Sequence, residues 1–256
     1  MQMLQPALRI SIMALSLELL ILAAVLLPFF PANGQGPSLA DLSTTQTHVQ
    51  KEIVNKHNEL RGSVSPTASN MLKMEWDPKA ASNAQKWASK CTLQHSIAED
   101  RKTSTSCGEN LYMSSHPQSW SVAIQTWYNE NTDFIYGKGP KTSDAVVGHY
   151  TQVVWYSSYR VGCGMAYCPN QRSLKYYYVC QYCPAGNHLR KINTPYLEGK
   201  PCASCPNHCD NGLCTNVCNY EDKYNNCNNL KEKVTCNHIT VRDGCKASCN
   251  CQDKIY

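Results

Sequence analysis

The chain has 256 residues, with 24 Lys and Arg against 19 Asp and Glu, a formal net charge of +5 and 16 cysteines. Charged residues make up 17% and hydrophobic residues 42%, which excludes a generally disordered chain. The positive excess is mild and spread out, which argues against a dedicated nucleic-acid binder with its dense basic stripe.

The N-terminus reads as a cleaved signal peptide over residues 1–34. Arg9 precedes an apolar run from Leu15 to Phe30, and the small residues Ala32 and Gly34 suit a cut after Gly34. Met13 is an alternative start. A membrane anchor is the competing reading, but the uninterrupted stretch Leu19–Leu27 is too short to span a bilayer.

The mature chain opens with helical patterning. Val49, Ile53, His57 and Leu60 recur at helical spacing, Thr47 and Gln50 suit a capping box, and Gly62 and Pro66 end the pattern. A second helix starts at Asp77-Pro78, with a stripe of Ala80, Ala81, Ala84, Trp87, Ala88 and Cys91. A third runs from about Ser119 to Asn129, burying Trp120, Ala123, Ile124, Trp127 and Tyr128. Residues 145–156, 159–168 and 174–183 are rich in β-branched and aromatic side chains and read as antiparallel strands. Helices first and strands later predict an α+β body. Pro184 to Pro201 reads as an exit segment.

Cysteines are absent before Cys91; six lie from Cys91 to Cys183 and ten from Cys202 to Cys251. An even number at this density reads as a disulfide framework formed in an oxidising compartment. The tail has too few apolar side chains for a core of its own. Bridges, each contributing about 2–4 kcal/mol, would supply what packing cannot.

Four polar residues stand out in the first domain. His57 interrupts an apolar helical stripe. Glu130 follows the buried face of the third helix, and an unpaired buried carboxylate is costly. His149 lies in phase with Val147, Thr151, Val153 and Trp155 in the first predicted strand. Glu109 follows Cys107-Gly108, where a bridge and a glycine could hold it in a turn. Each also has a plain reading: a packed imidazole for the histidines, a solvated acid for the glutamates. Converging in one cleft, imidazoles and carboxylates would suit Zn²⁺.

GHYTQVVW (Gly148–Trp155), YYVCQYCPAGN (Tyr177–Asn187), HNELR (His57–Arg61) and GENLY (Gly108–Tyr112) resemble, in order, the signature stretches of the CAP superfamily of cysteine-rich secretory proteins, antigen 5 and pathogenesis-related proteins. The likeness is to mammalian reproductive and exocrine members. It implies a three-layer α-β-α sandwich over residues 45–190, a hinge with two disulfides over 191–217, and a small, mostly helical, disulfide-rich ion-channel-regulatory (ShKT-like) domain over 218–251. It implies a cleft where His57 and His149 bind a divalent metal, Zn²⁺, with Glu109 and Glu130 beside them; folding does not require the metal. The implied disulfides are Cys91–Cys168, Cys107–Cys183, Cys163–Cys180, Cys202–Cys209, Cys205–Cys214, Cys218–Cys251, Cys227–Cys245 and Cys236–Cys249.

The expected function is secreted and non-enzymatic: modulation of membrane ion channels, with roles in sperm maturation, capacitation or sperm–egg contact. Expected partners are ion channels, sperm-surface proteins or other secreted proteins, with sterol as a further ligand of the superfamily and no nucleic acid. Lys223 and Tyr224 are the channel-contact candidates, because channel-blocking modules often pair a lysine with an aromatic. An exocrine or granule defence protein and a metal-dependent secreted hydrolase are the alternatives. The chain has neither a G-x-S-x-G elbow nor an H-E-x-x-H helix, which disfavours a hydrolase. C-A-S-C at Cys202–Cys205 reads as part of the structural bridges, with a redox pair or a four-cysteine zinc site as the alternatives.

Overall fold

The computed structural model describes residues 36–256, so the signal-peptide reading of residues 1–34 lies outside the described residues. Among these, no helix is long and apolar enough to cross a membrane. Helix α1 spans Thr47–Gly62 and buries Val49, Ile53, His57, Leu60 and Arg61. The expected capping box does not form: Gln46 holds the N-cap position without a side-chain cap, and the Gln50 side chain donates to the Thr44 carbonyl instead. Strand β1 is Glu75–Trp76. Helix α2, Pro78–Ala88, starts as its sequence dictates. The Asp77 carboxylate accepts from the Lys79 and Ala80 amides, and Pro78 occupies the first turn. Strand β2 is Gly108–Ser114. Helix α3, Trp120–Asn129, is capped by Ser119.

After α3 come the short strands β3 (Phe134–Ile135) and β4 (Gly139–Pro140), then helix α4, Gly148–Val153. This corrects the reading of 145–156 as a strand. The other two strand readings correspond to β5, Arg160–Tyr167, and β6, Tyr176–Cys183. The central sheet has the order β1-β5-β6-β2. Its only parallel pair is β1 with β5. Strand β2 is therefore an edge.

Alternation across the sheet sorts the layers. Tyr178, Cys180 and Tyr182 of β6 join the large core that α1, α3 and α4 build on one face. Tyr177 and Val179 pack with Ala84 and Ala88 of α2 on the other. The result is the α-β-α sandwich. Close approach of α2 depends on two glycines of β5. A Cβ on Gly162 would lie 2.1 Å from the Ala81 amide nitrogen, and one on Gly164 would lie 2.4 Å from Gln85 Cα. Overpacking of this kind costs about 1–3 kcal/mol. Gly164→Ala is thus expected to lower the unfolding free energy measured by urea titration by that amount, and an unchanged value would show that α2 can move aside.

Downstream, strands β7 (Cys209–Asp210) and β8 (Leu213–Cys214) form a hairpin. The expected hinge is not a loose connector. Cys214 N donates to Met71 O at 2.7 Å and Lys73 N to Cys214 O at 2.8 Å. Ser69 N donates to Leu197 O, and Gly199 N to Thr67 O. These bonds knit residues 197–214 onto the segment after α1, and Leu72 packs with Cys202, Cys205, Cys214 and Ile255. The tail helices are α5 (Cys227–Val234), α6 (Ile239–Gly244) and α7 (Lys246–Asn250). Their core is small, with Cys227, Val241 and Cys245 in one cluster and Cys218, Ala247 and Cys251 in another. Half of each cluster or more is cystine, so oxidation rather than apolar bulk holds this part.

The disulfides join Cys91–Cys168, Cys107–Cys183, Cys163–Cys180, Cys202–Cys209, Cys205–Cys214, Cys218–Cys251, Cys227–Cys245 and Cys236–Cys249. These are the pairs that the superfamily resemblance implies, and no cysteine is free.

Candidate metal-binding cleft

His57 is not part of a cleft, which corrects its reading as a metal ligand. Its side chain is wholly buried on α1, with Nδ1 2.8 Å from Ile53 O and Nε2 2.9 Å from Tyr182 Oη. A carbonyl can only accept, so Nδ1 carries the proton and Nε2 accepts from the tyrosine hydroxyl. Both ring nitrogens are spent. Burial pushes the imidazole pKa down to about 4; nearby Arg61 acts in the same direction, and the Ile53 carbonyl opposes both.

The histidine that meets Glu109 is His95, in the loop after α2. Its Nδ1 lies 2.9 Å from Glu109 Oε1. The same carboxylate accepts from the Ser96 amide at 2.8 Å, the Ser96 hydroxyl at 2.7 Å and Gln181 Nε2 at 3.3 Å. Burial pushes the Glu109 carboxyl up, but the hydrogen bonds from His95, Ser96 and Gln181 outweigh it and hold it below its ordinary value. Glu109 sits in strand β2 rather than in the turn expected. Sequence reasoning missed His95 because a loop has no periodicity to mark a residue as facing inward.

Glu130 and His149 form the second pair. Glu130 ends α3, and its Oε1 lies 2.6 Å from His149 Nδ1. Its Oε2 accepts from the amides of His149 at 2.9 Å and Tyr150 at 3.1 Å. Those amides belong to the first turn of α4, whose N-cap residue Val147 has no side chain able to cap it. One carboxylate from a distant element thus caps the helix and orients the imidazole that the helix carries.

The edge strand touches both pairs, one from each face of the sheet. Glu109 points to the α2 face of the sheet with Gln181, its cross-strand neighbour. Asn110, one residue on, points to the opposite face, where its Nδ2 donates to His149 O at 3.0 Å. Consecutive residues of β2 therefore serve the two pairs around the rim of the sheet. In each pair Nδ1 faces a carboxylate, the arrangement that orients a metal-binding imidazole and leaves Nε2 to a ligand. The His95 and His149 side chains are 57% and 28% exposed, so both can be reached from solvent. In each pair the Nε2 left open is the kind of imidazole nitrogen that zinc takes, with a carboxylate orienting the ring. Among the described residues, the metal-like grouping of three ligand atoms within 4.8 Å of one another is Cys202, Cys205 and Cys214. All three are in disulfides, which disposes of the four-cysteine zinc alternative.

Comparison with known proteins agrees with this architecture. Residues 54–182 match the model of the cysteine-rich secretory protein family (CAP), and residues 202–256 match the Crisp model. The chain is 66% identical over 239 residues to cysteine-rich secretory protein 3 from Homo sapiens, covering 93% of this chain and 98% of the relative. It is 65% identical over 240 residues to human cysteine-rich secretory protein 2, covering 94% and 99%. Among solved structures, one described as NaASP2 with Zn²⁺ is 30% identical, with a TM-score of 0.54, over 66% of this chain and 96% of that one. Sandwich, paired cysteines and sequence likeness across nearly the whole chain place it in one group: it belongs to the cysteine-rich secretory protein family.

Proposed function

We propose that this chain is a secreted, non-enzymatic binding protein with a zinc-binding cleft and a tail that modulates membrane ion channels in sperm maturation, capacitation or sperm–egg contact. The carrying observation is the pair of imidazoles whose Nδ1 atoms are clamped by Glu109 and Glu130. His95 takes the ligand place that the superfamily likeness gives to His57, with His149 as the second ligand. Bound zinc would supply a Lewis-acid centre at the cleft. A solved relative described as NaASP2 with Zn²⁺ supports the metal reading. Eight disulfides and relatives named as secretory support an extracellular setting.

Against catalysis stands the chemistry of the neighbours. Ser96 Oγ donates to Glu109 Oε2, and that carboxylate also faces His95 and accepts from the Ser96 amide and Gln181, so its acceptor capacity is spent on holding the loop. No cysteine is free to act as a thiolate.

Calorimetry with Zn²⁺ on the wild type and on His95→Ala/His149→Ala tests the cleft. Loss of an imidazole ligand should weaken binding by at least the 10–100-fold typical of lost outer-shell partners. Equal affinity in the two proteins would remove the site.

In the tail, Lys223 is exposed and Tyr224 is 43% exposed. The Tyr224 ring packs on Gly244, where an added Cβ would lie 2.1 Å from Cε2. Tyr224 therefore anchors, and Lys223 projects as the contact for a cation-selective pore mouth. Lys223→Glu in the full-length protein is expected to reduce current modulation in patch-clamp recordings; unaltered modulation would exclude Lys223 as a contact.

A further inference from the structure

The four cysteines of residues 202–214 are placed so that two different pairings are within reach. In the structure Cys202 joins Cys209 and Cys205 joins Cys214. Yet Cys205 N donates to Cys202 O at 2.9 Å, so these two cysteines also close one tight turn. Cys209 and Cys214 are direct partners in the β7–β8 ladder. Their position lies between the pair Asp210–Leu213, which closes the turn, and the bond from Thr215 N to His208 O at 2.9 Å. That makes it a non-hydrogen-bonded pair, where Cα atoms are about 4.5 Å apart and side chains are closest. Such a spacing lies within the range a disulfide spans. Asn211 and Gly212 hold the hairpin with φ of 51° and 81°, as a two-residue I′ turn requires.

The sulfur positions point the same way. One Sγ each from Cys202, Cys205 and Cys214 lie within 4.8 Å of one another, although they belong to two separate bridges. Those three residues are buried, whereas Cys209 is exposed. Cys202 also sits at a φ of 62°, a left-handed conformation that residues with a Cβ rarely adopt.

We propose that this cluster is a thiol–disulfide exchange site, entered at Cys209 by a small-molecule thiol. The thiolate attacks Cys209 Sγ; the Cys202–Cys209 bond breaks and its electron pair leaves on Cys202. The Cys202 thiolate attacks Cys205 Sγ, and the Cys205–Cys214 bond breaks with the pair leaving on Cys214. The Cys214 thiolate then attacks Cys209 and expels the small thiolate. The products are Cys202–Cys205 and Cys209–Cys214. No net electrons are transferred, and the external thiol is regenerated. Each new bridge is local, within one turn or one hairpin. The covalent tie between the 202–205 turn and β8 is lost, and β8 is the strand hydrogen-bonded to Met71 and Lys73. Exchange would therefore loosen the junction between the sandwich and the tail while leaving both intact.

The test uses the full-length oxidised protein in a buffer of reduced and oxidised glutathione at mildly alkaline pH, quenched with acid and mapped by tandem mass spectrometry of linked peptides. The expected result is loss of the Cys202–Cys209 and Cys205–Cys214 linkages in step with gain of Cys202–Cys205 and Cys209–Cys214, with the other six bridges unchanged. Retention of the original linkages, or exchange that begins at a sandwich or tail bridge, overturns the proposal. In Cys202→Ser, the unpaired Cys209 should take Cys214 and leave Cys205 as the free thiol; a Cys209 that stays free beside an intact Cys205–Cys214 bridge overturns it equally.

Discussion

Replacing Arg61 with methionine is expected to destabilise the protein by about 2–5 kcal/mol, because two buried carbonyls are left without donors at about 1–3 kcal/mol each. Arg61 is 1% exposed at the end of α1 and has no carboxylate partner within ion-pair distance among the described residues. Its guanidinium is satisfied by carbonyls. Nε donates to Leu72 O at 3.0 Å and Nη2 to the same oxygen at 2.6 Å. Nη1 donates to Val153 O at 2.9 Å and Trp155 O at 2.8 Å, and Nη2 also reaches Tyr156 O at 3.1 Å. The fork ties together the end of α1, the strand-like segment at Leu72 and the end of α4. Burial lowers its pKa to about 9, yet the group stays charged at neutral pH. In Arg61→Met the Trp155 and Tyr156 carbonyls keep second donors, Ser158 N and Leu72 N. The Leu72 carbonyl loses both guanidinium donors and the Val153 carbonyl loses its one, inside the core. Arg61→Lys should recover only part of the loss, because an ammonium lacks the planar fork. Urea unfolding at neutral pH measures both. A loss below 1 kcal/mol for the methionine variant, the net worth of one ordinary hydrogen bond, would show the fork to be dispensable.

The second large effect is with pH. His57 has a folded pKa of about 4 against an ordinary value of 6.5. Between those values the unfolded chain binds a proton that the folded chain refuses. Stability is therefore fully present above about pH 6.5 and falls as pH drops toward 4, by on the order of 3 kcal/mol at about 1.4 kcal/mol per pKa unit. Glu109 has a lowered pKa, so its contribution is present above the ordinary carboxylate value and lost only as pH falls through the folded one. Its loss comes at the acid end of the His57 window or below it, which leaves pH 5–6.5 to the histidine. His57→Gln should be less stable at pH 7 but have a flatter profile over that interval. Urea unfolding at a series of pH values decides the matter; an unchanged slope in the variant would assign the acid sensitivity to another group.

What the sequence by itself determined was whatever rests on neighbours along the chain. Asp77-Pro78 and Ser119 start their helices because a cap needs only the next three residues. The tracts at 159–168 and 174–183 become β5 and β6 because they are rich in β-branched and aromatic side chains, which pack well on a sheet covered on both faces. The cysteine distribution marked a tail held by oxidation. Motif likeness implied the disulfide pairing, which spacing could not select. Glu130 and His149 were legible as polar groups in phase with apolar faces, and Glu109 by its place after Cys107-Gly108.

Only the tertiary structure decided how those groups combine. GHYTQV has the β-branched and aromatic content of a strand, yet it is helical because Glu130 caps it from 19 residues away. His57 and His95 show the same limit from two sides. Periodicity placed His57 inward, but burial alone does not distinguish a ligand from a satisfied core imidazole; its two partners, Ile53 O and Tyr182 Oη, decide that. His95 lies on a loop without pattern, and it joins the site because Glu109, on an edge strand 14 residues on, holds it there. Local propensity is worth tenths of a kcal/mol to about 1 kcal/mol per residue. A buried carboxylate that must find donors is worth more, so long-range hydrogen bonds prevail where the two conflict.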